Sequence, residues 1–231
     1  DSTTCLYWAR DHYDEIHAVT FDYGQRHLIE VRSACRVAEM FGVETHEIVD
    51  IPDCLIGSSP LTNPAEQVEN YTGADTLPGG IENTFVPGRN ALFLVIAANR
   101  AAALDLNDII IGVSQEDFGG YPDCREDFLV VMEDALQSGF ERHIEIVHPL
   151  LTLNKKETVL LASQLPGCMD ALAYTHTCYD GNYPPSPGNH ASILRAKGFR
   201  EAGIPDPLIT RAKSEGLLPD TCPDFGYEGA Q

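Results

Sequence analysis

Two spacings of apolar residues alternate along the chain. From Thr4 to Arg10 the apolar Cys5, Leu6 and Trp8 have helix-compatible spacing, whereas Glu15 to Phe21 (EIHAVTF) reads as a strand that stops at Asp22. Between Leu28 and Phe41 the positions Ile29, Val31, Ala34, Val37, Ala38 and Phe41 fall on one helix face, and Gly42 suits a left-handed C-cap. Val43 to Val49 predicts the next strand. Residues 52–84, rich in Pro, Gly, Asn and Thr, predict a long surface excursion of the kind that is either functional or disordered in compact domains. Asn90 to Leu104 is a strongly apolar helix with Asn90 as its N-cap, too short to cross a bilayer and therefore expected against a sheet. The β-branched run Ile109 to Val113 has the signature of a central parallel strand. Arg125 to Gly139 predicts a helix with Phe128, Leu129, Val131, Met132, Ala135 and Leu136 inward, followed by a strand at Ile144 to Val147 and a helix at Lys155 to Gln164. Strands alternating with helices imply right-handed crossovers, hence an α/β fold: a Rossmann-like parallel sheet with helices on both faces. Residues 1–165 are expected to form this unit and 166–231 a C-terminal extension of the same globular body.

Composition narrows the class. With 231 residues and 43% hydrophobic content, the chain can bury one sizeable core. No apolar run reaches 18 residues and Asp1-Ser2-Thr3-Thr4-Cys5 has no basic n-region, so neither a membrane span nor a signal peptide is supported and the cytoplasm is the expected compartment. Seven cysteines, an odd number scattered through the chain, read as reduced thiols or metal ligands rather than a disulfide framework. The net charge of −20 includes only four lysines, Lys155, Lys156, Lys197 and Lys213, and such a surface repels a nucleic-acid polymer. A small anionic ligand is still compatible with it, because arginines and helix N-termini in one crevice act at short range. The acidic excess also suits a high-salt cytoplasm, and equally a merely soluble surface.

Candidate chemistry sits where apolar runs end, the place where open α/β sheets put their ligand crevice. Phe21-Asp22-Tyr23-Gly24-Gln25-Arg26-His27 follows the first predicted strand and Gly119-Gly120-Tyr121-Pro122-Asp123-Cys124-Arg125 follows Ile109 to Val113. The first is a catalytic loop or a polar turn closed by an Arg–Asp pair; His27 has no Ser or Asp partner at a meaningful spacing, so triad chemistry gains no support. In the second, Asp117 or Asp123 could accept hydrogen bonds from an amino-purine edge and Arg125 could pair with a carboxylate or phosphate, while Cys124 reads better as a small buried residue than as a nucleophile. Pro87-Gly88-Arg89-Asn90 sets an arginine at the positive end of a helix dipole, though alone these residues favour a plain cap with a solvated arginine. Lys155 opens a helix, where a cation is unfavourable for the macrodipole; it suits either a phosphate partner or solvent.

Together these residues resemble a known family, the 7-cyano-7-deazaguanine synthases of the adenine nucleotide α-hydrolase (PP-loop pyrophosphatase) superfamily, across nearly the whole chain. The resemblance rests on Asp1-Ser2 as the tail of a Ser-Gly-Gly-x-Asp-Ser phosphate loop, Asp22 to His27, Val86-Pro87-Gly88-Arg89-Asn90 and Gly120 to Arg125. It continues through Pro149-Leu150 with Lys155 and Glu157, Thr177-Cys178-Tyr179, and Leu194-Arg195-Ala196-Lys197-Gly198-Phe199. Only the phosphate loop is shared across the superfamily. The resemblance implies that a 7-carboxy-7-deazaguanine carboxylate attacks the α-phosphorus of ATP to give an acyl adenylate and pyrophosphate, that ammonia displaces AMP, and that a second adenylation on the amide oxygen leads to a nitrile.

The roles it implies are ATP and pyrophosphate binding by Asp1, Ser2, Phe21 and Lys155 with Mg²⁺, and restraint of the carboxylate and α-phosphate by Arg89 and Arg125, which with Lys155 are the catalytic candidates. Substrate binding falls to Tyr23, Gln25, Arg26, Asp123 and Arg195. The expected partners are small molecules, with no nucleic acid and no membrane, and a homodimer is plausible by resemblance. Two departures stand out. The family's first, central strand and the Ser-Gly-Gly portion are absent from this sequence; a polypeptide that truly began at Asp1 would have an unstable sheet. The family also holds structural Zn²⁺ with four cysteines, but here only Cys178 corresponds, with Ser186, Asn189 and Ser192 at the other positions. Loss of zinc is the expectation, with Pro184-Pro185-Ser186-Pro187 stiffening the loop; a site rebuilt from Cys178 with His176, His190 or Cys222 is the alternative. Rival readings keep the fold but change the acceptor or stop at the amide, or make the chain an inactive nucleotide-binding scaffold.

Overall fold

The structure, a computed structural model, describes residues 1–231 apart from 52, 53, 56, 58, 64, 78–80, 82, 115–120 and 227–231. Asp117, Gly119 and Gly120, singled out above, lie outside the described residues. Helix α1 (Ser2–Ala9) leads into strand β1 (His17–Asp22), helix α2 (Ile29–Phe41) and strand β2 (Thr45–Asp50). After the excursion come α3 (Arg89–Ala103), β3 (Asp108–Ile110), α4 (Glu126–Phe140), β4 (Glu145–Val147) and α5 (Lys155–Gln164). The C-terminal part carries α6 (Cys168–Leu172), α7 (His190–Ala202) and α8 (Pro207–Ser214).

The fold is α/β with parallel strands and helices on both faces, but the strands form two separate pairs. β1 runs parallel to β2 with His17 opposite Thr45 and Asp22 opposite Asp50; β3 runs parallel to β4 with Ile109 opposite Ile146. Among the described residues no strand joins β1 to β3, so each keeps one edge without a ladder partner, and every residue of β1 stays partly exposed.

Two cores flank the strands. Leu94, Ala98, Ile109, Leu129, Leu136, Ile144, Ile146 and Leu151 pack α3 and α4 on the β3–β4 pair, and Tyr7, Val37, Val159, Ala162, Cys168, Leu172 and Phe199 tie together α1, α2, α5, α6 and α7. Each fully buried leucine here, such as Leu94 or Leu129, contributes about 1.5–3 kcal/mol of transfer free energy.

Three local expectations need correction. Asn90 is not the N-cap of α3: the helix starts one residue earlier, with Gly88 in the left-handed region (φ 79°) at its cap, and Asn90 turns inward instead. On α4 the inward stripe is Phe128, Leu129, Met132 and Leu136, at helical spacing, while Val131 (67% exposed) and Ala135 face outward. β3 ends at Ile110, and only the Ile111 N–H continues the ladder, to the Val147 carbonyl at 2.9 Å. Its partner runs into His148-Pro149, and proline has no N–H with which to prolong the pairing.

Candidate active site

A cavity of about 1250 Å³ lies between the two strand pairs, bounded by the unpartnered edges of β1 and β3 and by the start of α1. One end is built by close backbone approach. A Cβ on Gly112, just past β3, would stand 2.8 Å from the Ser2 nitrogen, so only glycine lets the first turn of α1 lie this near the strand end. Lys155 reaches the same corner from α5, and its Nζ donates to Asp1 Oδ2 at 2.6 Å. That helix is fixed by a reciprocal cap, with Asn154 Oδ1 accepting from Glu157 N–H (3.0 Å) and Glu157 Oε2 from Asn154 N–H (2.9 Å). Behind it α7 comes so near that a Cβ on Gly198 would lie 2.8 Å from the Lys155 Cβ. An ammonium thus meets the amide-rich end of α1 at the cavity wall, an arrangement that attracts anions.

The other wall is aromatic and cationic. Phe21 stacks on Phe93 of α3 (centroids 4.0 Å, planes 10° apart) and Tyr23 meets the same ring edge-on at 5.5 Å. Arg89 faces Tyr23 from the start of α3. Burial pushes the Tyr23 phenol above its ordinary value against the opposing pull of Arg89, and burial likewise raises the Glu30 carboxyl, again opposed by Arg89. Burial would lower the guanidinium of Arg89, but Tyr23, Tyr179 and Asp123 outweigh it, so it holds its proton more firmly than usual. Gln25 also lines the cavity, yet its amide serves the turn: Oε1 accepts from Tyr23 N–H at 2.9 Å and Nε2 donates to the Phe21 carbonyl at 3.4 Å.

The remaining sequence candidates lie elsewhere. Asp123 is 6% exposed and sits behind the cavity wall, where Oδ2 accepts from Asn90 N–H (3.4 Å) and the Asn90 side chain donates back to the Asp123 carbonyl (3.1 Å). Burial raises its carboxyl, offset in part by that N–H and by Arg89. Its neighbour Cys124 does line the cavity. Arg26 is exposed and donates to the Glu66 carbonyl at 3.2 Å, and Arg125 is the exposed residue ahead of α4; neither lines the cavity. Arg195 reaches the lining, but all five of its N–H groups meet protein acceptors: both Asp206 oxygens (2.6 and 2.8 Å), Thr175 (2.8 Å), Thr177 (3.4 Å) and the Leu172 carbonyl (3.1 Å). It braces the wall that carries Thr175 and Thr177 and has no donor left for a ligand. Phe93 and Glu30 went unnoticed in the sequence, Phe93 because an aromatic in an apolar helix looks like core, and Glu30 because a carboxylate in a helix's first turn looks like dipole compensation.

The zinc expected from the resemblance does not fit these residues. At the four corresponding positions stand one thiol, two serines and an asparagine, and the asparagine points its NH₂, a donor, at the sulfur: Asn189 Nδ2 lies 3.0 Å from Cys178 Sγ. The rebuilt alternatives fare no better. His176 Nε2 bonds the Cys178 carbonyl at 2.7 Å, the His190 ring meets Tyr71 edge-on with centroids 6.4 Å apart, Cys222 Sγ turns to the Pro223 carbonyl at 3.6 Å, and among the described residues no three His, Cys, Asp or Glu side chains cluster as a metal site.

Parallel strands with helices on both faces, and a lysine beside a helix start at the strand ends, define an α/β protein, and the family match makes it one of the PP-loop type. The chain belongs to the family described as Queuosine biosynthesis protein QueC, whose model matches residues 1–203. It is similar to the 7-cyano-7-deazaguanine synthase of Gloeobacter violaceus (48% identical; 90% of this chain and 91% of the relative covered). The proteins of the same name from Laribacter hongkongensis (46%; 91% and 90%) and Chromobacterium violaceum (46%; 93% and 91%) are comparably similar. Among the described residues no helix is long and apolar enough to cross a membrane.

Proposed function

We propose that this protein makes 7-cyano-7-deazaguanine from 7-carboxy-7-deazaguanine and ammonia at the expense of ATP, in the formation of queuosine-type nucleosides. The observation that carries the reading is a pair of cationic groups at the carboxyl ends of the strands, Lys155 with the start of α1 beside the end of β3 and Arg89 with Tyr23 beside the end of β1. Adenylation demands such a pair, because two anions must be held side by side before oxygen can attack phosphorus.

In the first step a substrate carboxylate oxygen bonds to the α-phosphorus as the bond to pyrophosphate breaks. Lys155 and the Ser2 amide counter the charge of the departing pyrophosphate; Asp1, the carboxylate beside Lys155, would be the residue to hold a Mg²⁺, which would add positive charge for the same purpose. Arg89 restrains the carboxylate and α-phosphate, and the Phe21, Tyr23 and Phe93 rings offer faces for a planar heterocycle; Asp123, behind the wall and held by Asn90, reaches the amino edge only if that wall opens. Ammonia then attacks the acyl carbon and AMP leaves. The amide oxygen then bonds to the α-phosphorus of a second ATP as pyrophosphate leaves, and loss of AMP, which carries off that oxygen, with the two N–H protons leaves the nitrile. Arg125 and Arg26, set outside the cavity, act on substrate only if the neighbouring loops close.

The strand that the resemblance places ahead of Asp1 would enter between β1 and β3 and satisfy their open edges, with its loop running into Asp1-Ser2. The setting is cytoplasmic and the partners are small molecules; self-association as a homodimer follows the resemblance. The deciding experiment measures pyrophosphate release from ATP with and without 7-carboxy-7-deazaguanine, and product mass with ammonium. Acid-dependent release with a nitrile product is expected. Release without the acid, or a product that stays at the amide, overturns the assignment.

A further inference from the structure

The residues that depart from the zinc pattern lie in the loop between α6 and α7 and in the first turn of α7, and Ser186 and Asn189 form a network with Cys178. Asn189 is fully buried (0% exposed) and Cys178 nearly so (1%). The Asn189 NH₂ donates to Cys178 Sγ at 3.0 Å and to the Ser186 carbonyl at 3.3 Å, while its Oδ1 accepts from Ser192 N–H at 2.9 Å and caps α7. The Ser186 hydroxyl accepts from Asn182 Nδ2 at 2.9 Å. We propose that this asparagine-centred network replaces the metal, so that the loop is fastened without zinc and Asn189 is its keystone.

The chemistry excludes a shared occupancy. A cation bound at Cys178 would confront the hydrogens of the Asn189 amide, and freeing the sulfur would break the cap on α7 and release two buried donors. Serine hydroxyls are weak substitutes for thiolates at zinc. Ser192 shows the same logic from the other side: its hydroxyl is buried, and among the described residues nothing is placed to bond it. It reads as a tolerated remnant rather than a ligand. The network matters to the cavity because Thr175, His176, Thr177 and Tyr179, immediately before or beside Cys178, line it.

Metal analysis of the purified protein together with thermal unfolding tests the proposal. Zinc well below one atom per chain is expected, with a midpoint unmoved by prolonged chelation. Stoichiometric zinc whose removal lowers the midpoint overturns it. Asn189→Asp, which keeps the shape but sets a charged acceptor against the sulfur and the Ser186 carbonyl, should lower the midpoint by several degrees with no change in metal content; an unchanged midpoint removes Asn189 from the central role. Should that variant not accumulate folded, Ser192→Ala decides: loss of an unbonded hydroxyl leaves the midpoint the same or higher, whereas a fall with loss of zinc identifies a ligand and ends the proposal.

Discussion

At the scale of single residues, position and pairing separate groups that look alike in the sequence. The resemblance gives Arg89, Arg125 and Arg195 alike a part in binding, yet one faces the cavity, one is exposed ahead of a helix and one is consumed by Asp206 and its neighbours. Asp206 is 2% exposed on its side chain, so Arg195→Ala leaves a buried carboxylate without its partner and should cost about 3–5 kcal/mol, measured by urea unfolding. A loss of activity with unchanged stability would instead make Arg195 a substrate ligand. Asp123 behaves differently. Because burial raises its carboxyl in the folded state, the folded protein favours the protonated form; the penalty is absent at acid pH and grows as pH rises through the raised value. Asp123→Asn should therefore match or exceed the parent in stability at neutral pH, with the gap closing on acidification. If Asp123 reads the amino edge of the substrate, the same variant raises KM by roughly tenfold or more, as loss of a charge-assisted hydrogen bond does; an unchanged KM confines it to holding Asn90.

Elements were legible where local chemistry decides them and less so where a neighbour does. α5 spans the residues its pattern predicts, because a capping box and an apolar face both specify it. β3 came out shorter, since its length is set by Pro149 on the partner strand, and Val131 and Ala135 of α4 point outward because the width of an apolar stripe depends on what covers it. Asn90 was misread as a cap for a similar reason: its buried partner Asp123 is far away in sequence. The contact that positions Lys155 was hidden in the same way, in a glycine inside a helix. Gly198→Ala puts a methyl group within 2.8 Å of the Lys155 Cβ and 3.1 Å of its carbonyl, so α7 and α5 must separate. An overpacking cost of about 1–3 kcal/mol is expected, with pyrophosphate release falling more than the population of folded protein can explain. Normal turnover in that variant would show that Lys155 tolerates displacement and is not held for catalysis.

For the whole molecule, pattern conveyed the alternation of strands and helices but not which strands pair, and the open edges of β1 and β3 fall where the resemblance expects a central strand that this sequence does not contain. Charge is the other property that belongs to no single element. A net charge of −20 is spread over a surface with few lysines to offset it, and ion pairs such as Arg100–Glu47 and Lys213–Asp224 neutralise only a small part of it. Such self-repulsion acts over about 10 Å at 0.1 M salt and about 3 Å at 1 M, so added salt removes repulsion between distant carboxylates well before it weakens the partly buried pairs. The thermal midpoint should rise as potassium chloride goes from low to molar concentration, with most of the gain at the low end if screening is the cause. If ATP and the acid bind at Lys155 and Arg89 as proposed, the site responds the other way, because screening reduces their attraction to those cations. Stability and ATP affinity are therefore expected to move in opposite directions with salt, which parallel melting and nucleotide titrations would read. A midpoint that falls with salt would mean that attraction between charges, rather than their excess of one sign, dominates this surface.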